Sequence, residues 1–378
     1  MMKRIQKIIS AVVIAVMLAA IVTGCGNGSS GKDAKQAQND STKQAQTASN
    51  EAKTDFKGAE LVVATWGFTA ASVKELSKDF ETKYNCKVII DETSGNSDRL
   101  NKIMAQRNNP EIDVALMTDI FAAIGNEEGV FEKIDTKIVT NLNNLYDFAK
   151  NADGYGPAYS VVRYGIIYDA DTVKEAPKSY KDLFNGKYNK LISLPDMAST
   201  AGPYLLITLA ETSGGSATNV EPGFEVLKAN KDNVKQWYMA SSDVQKAFTT
   251  GEIGVSVFMD MNVPSLLESG LNVKWVTPEE GCFSAAATIN VVKNCKNPEL
   301  AQLYVNYILS DEVQSKIADK LNEAPTNKNA EMSDEKKKYL AYGEDAMKSL
   351  KEFDWKYTNE NKAAWIEKFQ KEVAISNK

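Results

Sequence analysis

The sequence predicts an α/β fold in two core-bearing domains, and three observations carry the prediction. Short apolar runs alternate with amphipathic helical segments, the order expected of a parallel sheet with crossover helices. At 378 residues the chain is too long for one ordinary hydrophobic core. Its 43% hydrophobic and 25% charged side chains are a globular composition. No segment of about 20 to 50 residues recurs, which excludes solenoids and propellers.

The folded body begins near Ala59. Leu61-Val62-Val63-Ala64 is a continuous apolar run ending at Thr65-Trp66-Gly67 and reads as a buried strand entering a loop. Val73, Leu76 and Phe80 then mark a helix, with Ser72 and Glu75 spaced as a capping box at its start. Val88-Ile89-Ile90 is a second strand, Leu100, Ile103 and Met104 a second helix, and Val114 to Met117 a third strand ending at Thr118-Asp119. Such a βαβαβ order implies right-handed crossovers and a ligand crevice at the carboxyl ends of the strands. Trp66 and Asp119 fall there; taken singly, Trp66 also fits rim packing and Asp119 a helix cap.

Tyr155 to Tyr168 reads as a long aromatic strand able to carry the chain between domains. A short helix capped by Ser179 follows, then the strand Leu191 to Leu194, the turn 195–203, and a helix through Leu205, Leu206 and Leu209 that stops at Gly214-Gly215. Pro203 is tolerated only in the first helical turn, so Ser199 and Thr200 sit where hydroxyls and free backbone N–H groups face one crevice. That end favours a carboxylate or phosphate, although both residues also fit a capping role. Ile253 to Asp260 is another buried strand with Asp260 at its exit, and Ser284 to Val292 a further one. The tail is helical around Leu300, Val313, Leu321, Trp365 and Phe369, and Lys336 to Lys338 reads as a solvated face.

Charge and composition exclude several functions. The net charge is −6, opposite to that of a protein gripping phosphate backbones, so no nucleic-acid partner is expected. The chain has no histidine, which removes Ser-His-Asp and Cys-His catalysis and histidine metal sites. Carboxylate-pair and lysine chemistry survive that test. Cys86, Cys282 and Cys295 lack metal or redox spacing and read as small buried hydrophobes.

The amino-terminal segment, residues 1-24, has a basic start (Lys3, Arg4, Lys7) and an apolar run from Ile8 to Val22, shorter than the roughly 20 residues of a membrane-spanning helix. It reads as a secretory leader. Val22-Thr23-Gly24-Cys25 resembles the lipobox of bacterial lipoproteins, which implies lipid modification of Cys25; an ordinary signal peptide with a chance cysteine is the alternative. Residues 25-58 are polar and small and are expected to form a flexible tether reaching roughly 30 Å.

Several segments taken together resemble the type II solute-binding proteins of bacterial ABC importers, in particular the spermidine and putrescine receptor branch. They are Val63 to Gly67, Ala176 to Leu183, Ser193 to Pro203, Thr250 to Val255, Pro278 to Gly281 and Ala324 to Asn327. The resemblance implies a periplasmic-binding-protein-like fold of two α/β lobes, each a mostly parallel sheet flanked by helices, with the ligand cleft between them. Lobe 1 would comprise 59-160 and 258-325, and lobe 2 161-257 and 326-378, with crossings near Val161 and Phe258. The implied ligand residues are Trp66 and Asp119 from lobe 1, Ser199 and Thr200 from lobe 2, and Tyr159, Arg163 and Asp260 at or near the crossings.

The resemblance further implies a non-enzymatic, monomeric receptor, without cofactor or metal, lipid-anchored at the outer face of the cytoplasmic membrane or in the periplasm. It would deliver a small polar or charged organic solute to an ABC permease. A polyamine-like solute is the first expectation, with Asp260 and Trp66 at acidic and aromatic positions. Ser199, Thr200 and Gly202 stand where the polyamine receptors carry acidic residues, so an anion or zwitterion is a second. Ferric iron held by paired tyrosines among Tyr155, Tyr159, Tyr164 and Tyr168 is a third. An exported glycosidase using Asp119 and Asp260, or a structural lipoprotein, are competing classes.

Overall fold

The apolar run after Ala59 folds as β1 (Glu60–Trp66), and the chain turns straight from it into α1 (Gly67–Leu76). Ser72 therefore lies inside α1 and not at its start. Trp66, in extended backbone, takes the cap position, and the Ser72 hydroxyl donates to the Lys320 carbonyl at 2.8 Å. α2 (Lys78–Tyr84), β2 (Lys87–Thr93), α3 (Asn96–Ala105), β3 (Val114–Thr118) and α4 (Asp119–Glu127) complete a βαβαβ unit. The computed structural model describes residues 55–93, 95–351 and 354–374. Cys25, the leader and most of the tether expected at 25-58 lie outside them.

The long aromatic stretch forms β4 (Ala158–Asp169). β5 (Ile192–Pro195), α5 (Gly202–Thr212), α6 (Glu221–Asn230), β6 (Val234–Tyr238), α7 (Ser241–Thr249) and β7 (Val255–Met259) then repeat the alternating order. α8 (Val263–Glu268), β8 (Val273–Val276) and β9 (Cys282–Val291) follow. The tail contributes α9 (Pro298–Ile308), α10 (Asp311–Leu321), the short strands β10 (Ala324–Pro325) and β11 (Leu350–Lys351), α11 (Glu344–Lys348) between those two strands, and α12 (Trp355–Glu372).

The strands hydrogen-bond in the order β2-β1-β3-β9-β4-β7-β5-β6. β1 is parallel to β2 and β3, and β5 is parallel to β6 and β7. Each parallel trio is flanked by one antiparallel strand, β9 beside β3 and β4 beside β7, and these two long strands pair with each other. The sheet thus consists of two similar halves joined through β4 and β9.

The cores divide in the same way. Leu61 to Tyr159 and Ile289 to Leu321 supply one hydrophobic cluster, and Tyr164 to Ala285 together with Trp365, Phe369 and Val373 supply another. β4 and β9 each pass from one cluster to the other within a few residues. Phe258, expected beside a crossing, instead lies inside β7, whose alternating side chains send Val255 and Val257 to the second cluster and Phe258 to a third, beneath the opposite face of the sheet. The second passage falls between Ala285 and Ile289, and the chain passes once more near Glu323, where Ala324 pairs with Val161 of β4.

Candidate functional site at the junction of the lobes

The carboxyl ends of the parallel strands in both halves open onto one cavity. Trp66 ends β1, Thr118 ends β3, Met259 ends β7, and Thr200 lies in the turn between β5 and α5; all four line a cavity of about 240 Å³. Tyr164 and Val162 of β4, Ala285 to Ala287 of β9, Phe68, Met261 and Glu323 complete it. The sheet topology explains the convergence: β9 is antiparallel to β3 and to β4, and β4 to β7, so the two parallel trios run in opposite directions and their carboxyl ends, Thr118 beside Ala287 and Met259 beside Tyr164, face each other at the middle of β9 and β4.

Each half offers an aromatic ring held from behind. The Trp66 ring stacks on the Arg99 guanidinium of α3, 4.8 Å from its centroid, and Arg99 is itself fully buried and bonded to the Leu116 carbonyl. Tyr164 stacks on Phe283 at 5.1 Å, which in turn stacks on Tyr204 of α5 at 4.8 Å. Both rings are thereby fixed before any solute arrives, so little ordering entropy is lost on binding. Phe68, 70% exposed, stands beside Trp66 at the mouth, with ring centroids 6.0 Å apart.

Glu323 is the only carboxylate lining this cavity among the described residues. Its side chain is 4% exposed and takes a hydrogen bond from the Ser160 hydroxyl. Burial pushes its carboxyl up to about 7, opposed by Ser160 and reinforced by the negative charge of Asp260. Glu323 was not foreseen from the sequence. The available signal was a carboxylate lodged between the end of α10 and the buried Ala324-Pro325, where no helical period turns it to solvent.

Of the residues expected at a ligand, Trp66 and Thr200 line the cavity, and Thr200 is exposed. Ser199 does not: its hydroxyl donates to the Asp196 carbonyl at 2.7 Å and accepts from the Gly202 N–H at 3.1 Å, closing the turn into α5. Arg163 and Asp260 neutralise each other. The Asp260 oxygens accept from the Arg163 backbone N–H and Nε, each at 3.0 Å, and Asp260 is fully buried. Arg163 also donates to the Tyr339 carbonyl and stacks on Trp275 at 5.1 Å, which fastens the tail segment to β4. Burial pushes Asp260 up to about 6 against the pull of Arg163.

Asp119 begins α4 and accepts from the Ala286 N–H of β9 at 3.3 Å. It lines a second cavity of about 290 Å³ with Asn126, Asp153, Ser284, Ala286 and Lys351. That cavity is larger, but strand ends from both halves meet only in the first. Tyr159 is 1% exposed, within the lobe 1 core. Of the four tyrosines named for iron, Tyr164 alone lines the first cavity, and the described residues hold no metal-binding cluster of three or more histidine, cysteine, aspartate or glutamate side chains. Thr200 also borders a third cavity of about 280 Å³ that contains Lys362, whose Nζ donates to the Ser199 carbonyl at 3.1 Å.

Two α/β halves joined by paired crossing strands, with a cavity where their strand ends meet, define a two-lobed periplasmic-binding-protein-like fold. The family model of bacterial extracellular solute-binding proteins matches residues 75–343, and the chain belongs to that family. A crystal structure of an ABC transporter protein from Clostridium perfringens is 35% identical, with a TM-score of 0.72, covering 83% of this chain and 99% of that one. Spermidine/putrescine-binding periplasmic protein 1 of Haemophilus influenzae is 24% identical over 319 residues, 82% of this chain and 83% of its own length. A Salmonella typhimurium periplasmic protein, whose name proposes 2-aminoethylphosphonate as its ligand, is 25% identical over 244 residues, 62% of this chain and 68% of its own. The spermidine/putrescine substrate-binding protein PotD of Streptococcus pneumoniae shares the fold, at 19% identity and a TM-score of 0.72, covering 83% of this chain and 99% of that one. This chain is accordingly a solute-binding protein of an ABC transporter.

Proposed function

We propose that this protein is an exported receptor that captures a small amine-bearing organic solute in the cavity between Trp66, Tyr164, Thr200 and Glu323, and delivers it to its permease. The observation that carries the proposal is the pairing of two braced aromatic rings with one buried carboxylate in a cavity built by both lobes. Ring faces and a carboxylate attract an ammonium ion, most strongly where water is excluded. Relatives whose names refer to spermidine, putrescine and 2-aminoethylphosphonate support the same class of solute. The adjoining cavity with Thr200 and Lys362 favours a solute whose far end is neutral or anionic.

Closure would follow from differential affinity: a solute touching both lobes stabilises the closed form over the open one. The strands β4 and β9 are the hinge in this reading, and Phe68 and Met261 are apolar surfaces brought together on closure. A lipid at Cys25 and the tether after it would keep the receptor beside the membrane. The test is a thermal-shift screen of amines, amino acids and aminophosphonates. A true ligand at a hundredfold excess over Kd adds about 2.7 kcal/mol of stability; no shift with any amine, and a clear one with a solute lacking nitrogen, would overturn the reading.

A further inference from the structure

Resting on that reading of the cavity, we infer that Glu323 is the counter-ion for a single ammonium group, so that the cleft selects solutes with one cationic end over polyamines with two or more. The charges around the cavity carry this. Glu323 is buried, and among the described residues no lysine or arginine neutralises it. A carboxylate in that position is costly without a partner. Ser160 occupies only one of its acceptor sites, leaving others open to N–H donors. The remaining acidic groups expected to serve an amine are committed elsewhere: Asp260 to Arg163, and Asp119 to the backbone of β9.

Within this cavity a second ammonium of a polyamine would therefore lie against Met259, Met261 and the alanines of β9, with no second carboxylate to replace its water. Further along, past Thr200, it would meet the positive charge of Lys362. A neutral or anionic tail encounters neither obstacle.

The surroundings of Glu323 also fix a pH signature. Tyr159 and Ser160 face it from β4, Asp260 from the turn after β7 with Arg163 paired to it, and Lys336 contacts the neighbouring Asn322. The free carboxyl takes up a proton as pH falls through about 7, and must lose it to hold an ammonium.

Isothermal titration of the mature protein with ethanolamine, 4-aminobutanoate, 2-aminoethylphosphonate, putrescine and spermidine tests the inference. At least one of the first three should bind tenfold or more tightly than either polyamine. A pH series uses the best single-ammonium probe whose groups do not titrate between pH 6 and 8, such as 4-aminobutanoate; its affinity should rise about tenfold across that range. Glu323→Gln should weaken binding at least tenfold and flatten the pH profile, whereas Glu323→Asp should retain the slope; the wild-type profile stands even if a variant folds poorly. A polyamine bound as tightly as the best single-ammonium probe would overturn the selectivity and leave the amine reading standing. Glu323→Gln with wild-type affinity and slope would overturn the role of Glu323. Binding of none of the five would overturn this inference, and the amine reading falls with it when the wider screen of amines and amino acids also finds none.

Discussion

Trp66 and Glu323 make unlike demands on the folded protein. Trp66 is a ring with one face already stabilised by Arg99, so its removal takes away the proposed binding surface and also uncovers a buried guanidinium. Trp66→Ala should lower solute affinity at least tenfold and lower the melting temperature as well, whereas Trp66→Phe should restore most of the melting temperature; calorimetry of both variants checks this. Glu323 destabilises the empty protein near neutral pH. Its carboxyl is raised from about 4.5 to about 7 in the folded state, so its stabilising contribution is complete below about pH 4.5 and is lost as pH rises through 7. The amount is on the order of 3 kcal/mol. Glu323→Gln should therefore unfold at higher denaturant than the wild type at pH 8, with the difference vanishing near pH 4.5; an identical offset at both pH values would show that Glu323 is not titrating as described.

At the scale of elements, the buried strands were legible in the sequence because both faces are covered. β1, β3 and β7 are almost uninterrupted apolar runs, with burial to match. β6 and β8 escaped detection because lysine and glutamine break their runs, and β6 lies at the end of the sheet. That Trp66 and Thr200 border the cavity was legible because a topological rule places the crevice at strand ends. The place of Glu323 was not, since it follows from long-range pairing: Ser160 and Glu323 are 163 residues apart. The same kind of pairing withdrew Arg163 and Asp260, which are 97 residues apart and bonded to each other. Breaking a buried pair leaves an uncompensated charge, so Asp260→Ala should cost about 3 to 5 kcal/mol, read by denaturant unfolding. A loss below 1 kcal/mol would mean that the pair is more hydrated than its burial implies. At the start of α5, a Cβ on Gly202 would lie 2.3 Å from the Asp196 carbonyl oxygen. Gly202→Ala should therefore displace Thr200 and weaken binding together with stability.

For the whole molecule, the two halves share one hydrogen-bonded sheet and have separate main hydrophobic clusters; among the described residues β4, β9 and the segment at Glu323 pass between them, and a third cluster packs Tyr146 and Ala318 with Tyr238 and Phe258. In the proposed closure the halves would rotate about these segments while the two main clusters stay packed. Small-angle scattering should show a smaller radius of gyration once solute is bound. The most direct measurement is a crystal structure of the exported protein with its bound solute. Density enclosed by Trp66, Tyr164, Thr200 and Glu323, with a nitrogen within about 3 Å of the Glu323 carboxylate, is the expected result. A solute lodged in the cavity beside Asp119 and Lys351, with the space between Trp66 and Glu323 filled only by water, would contradict it.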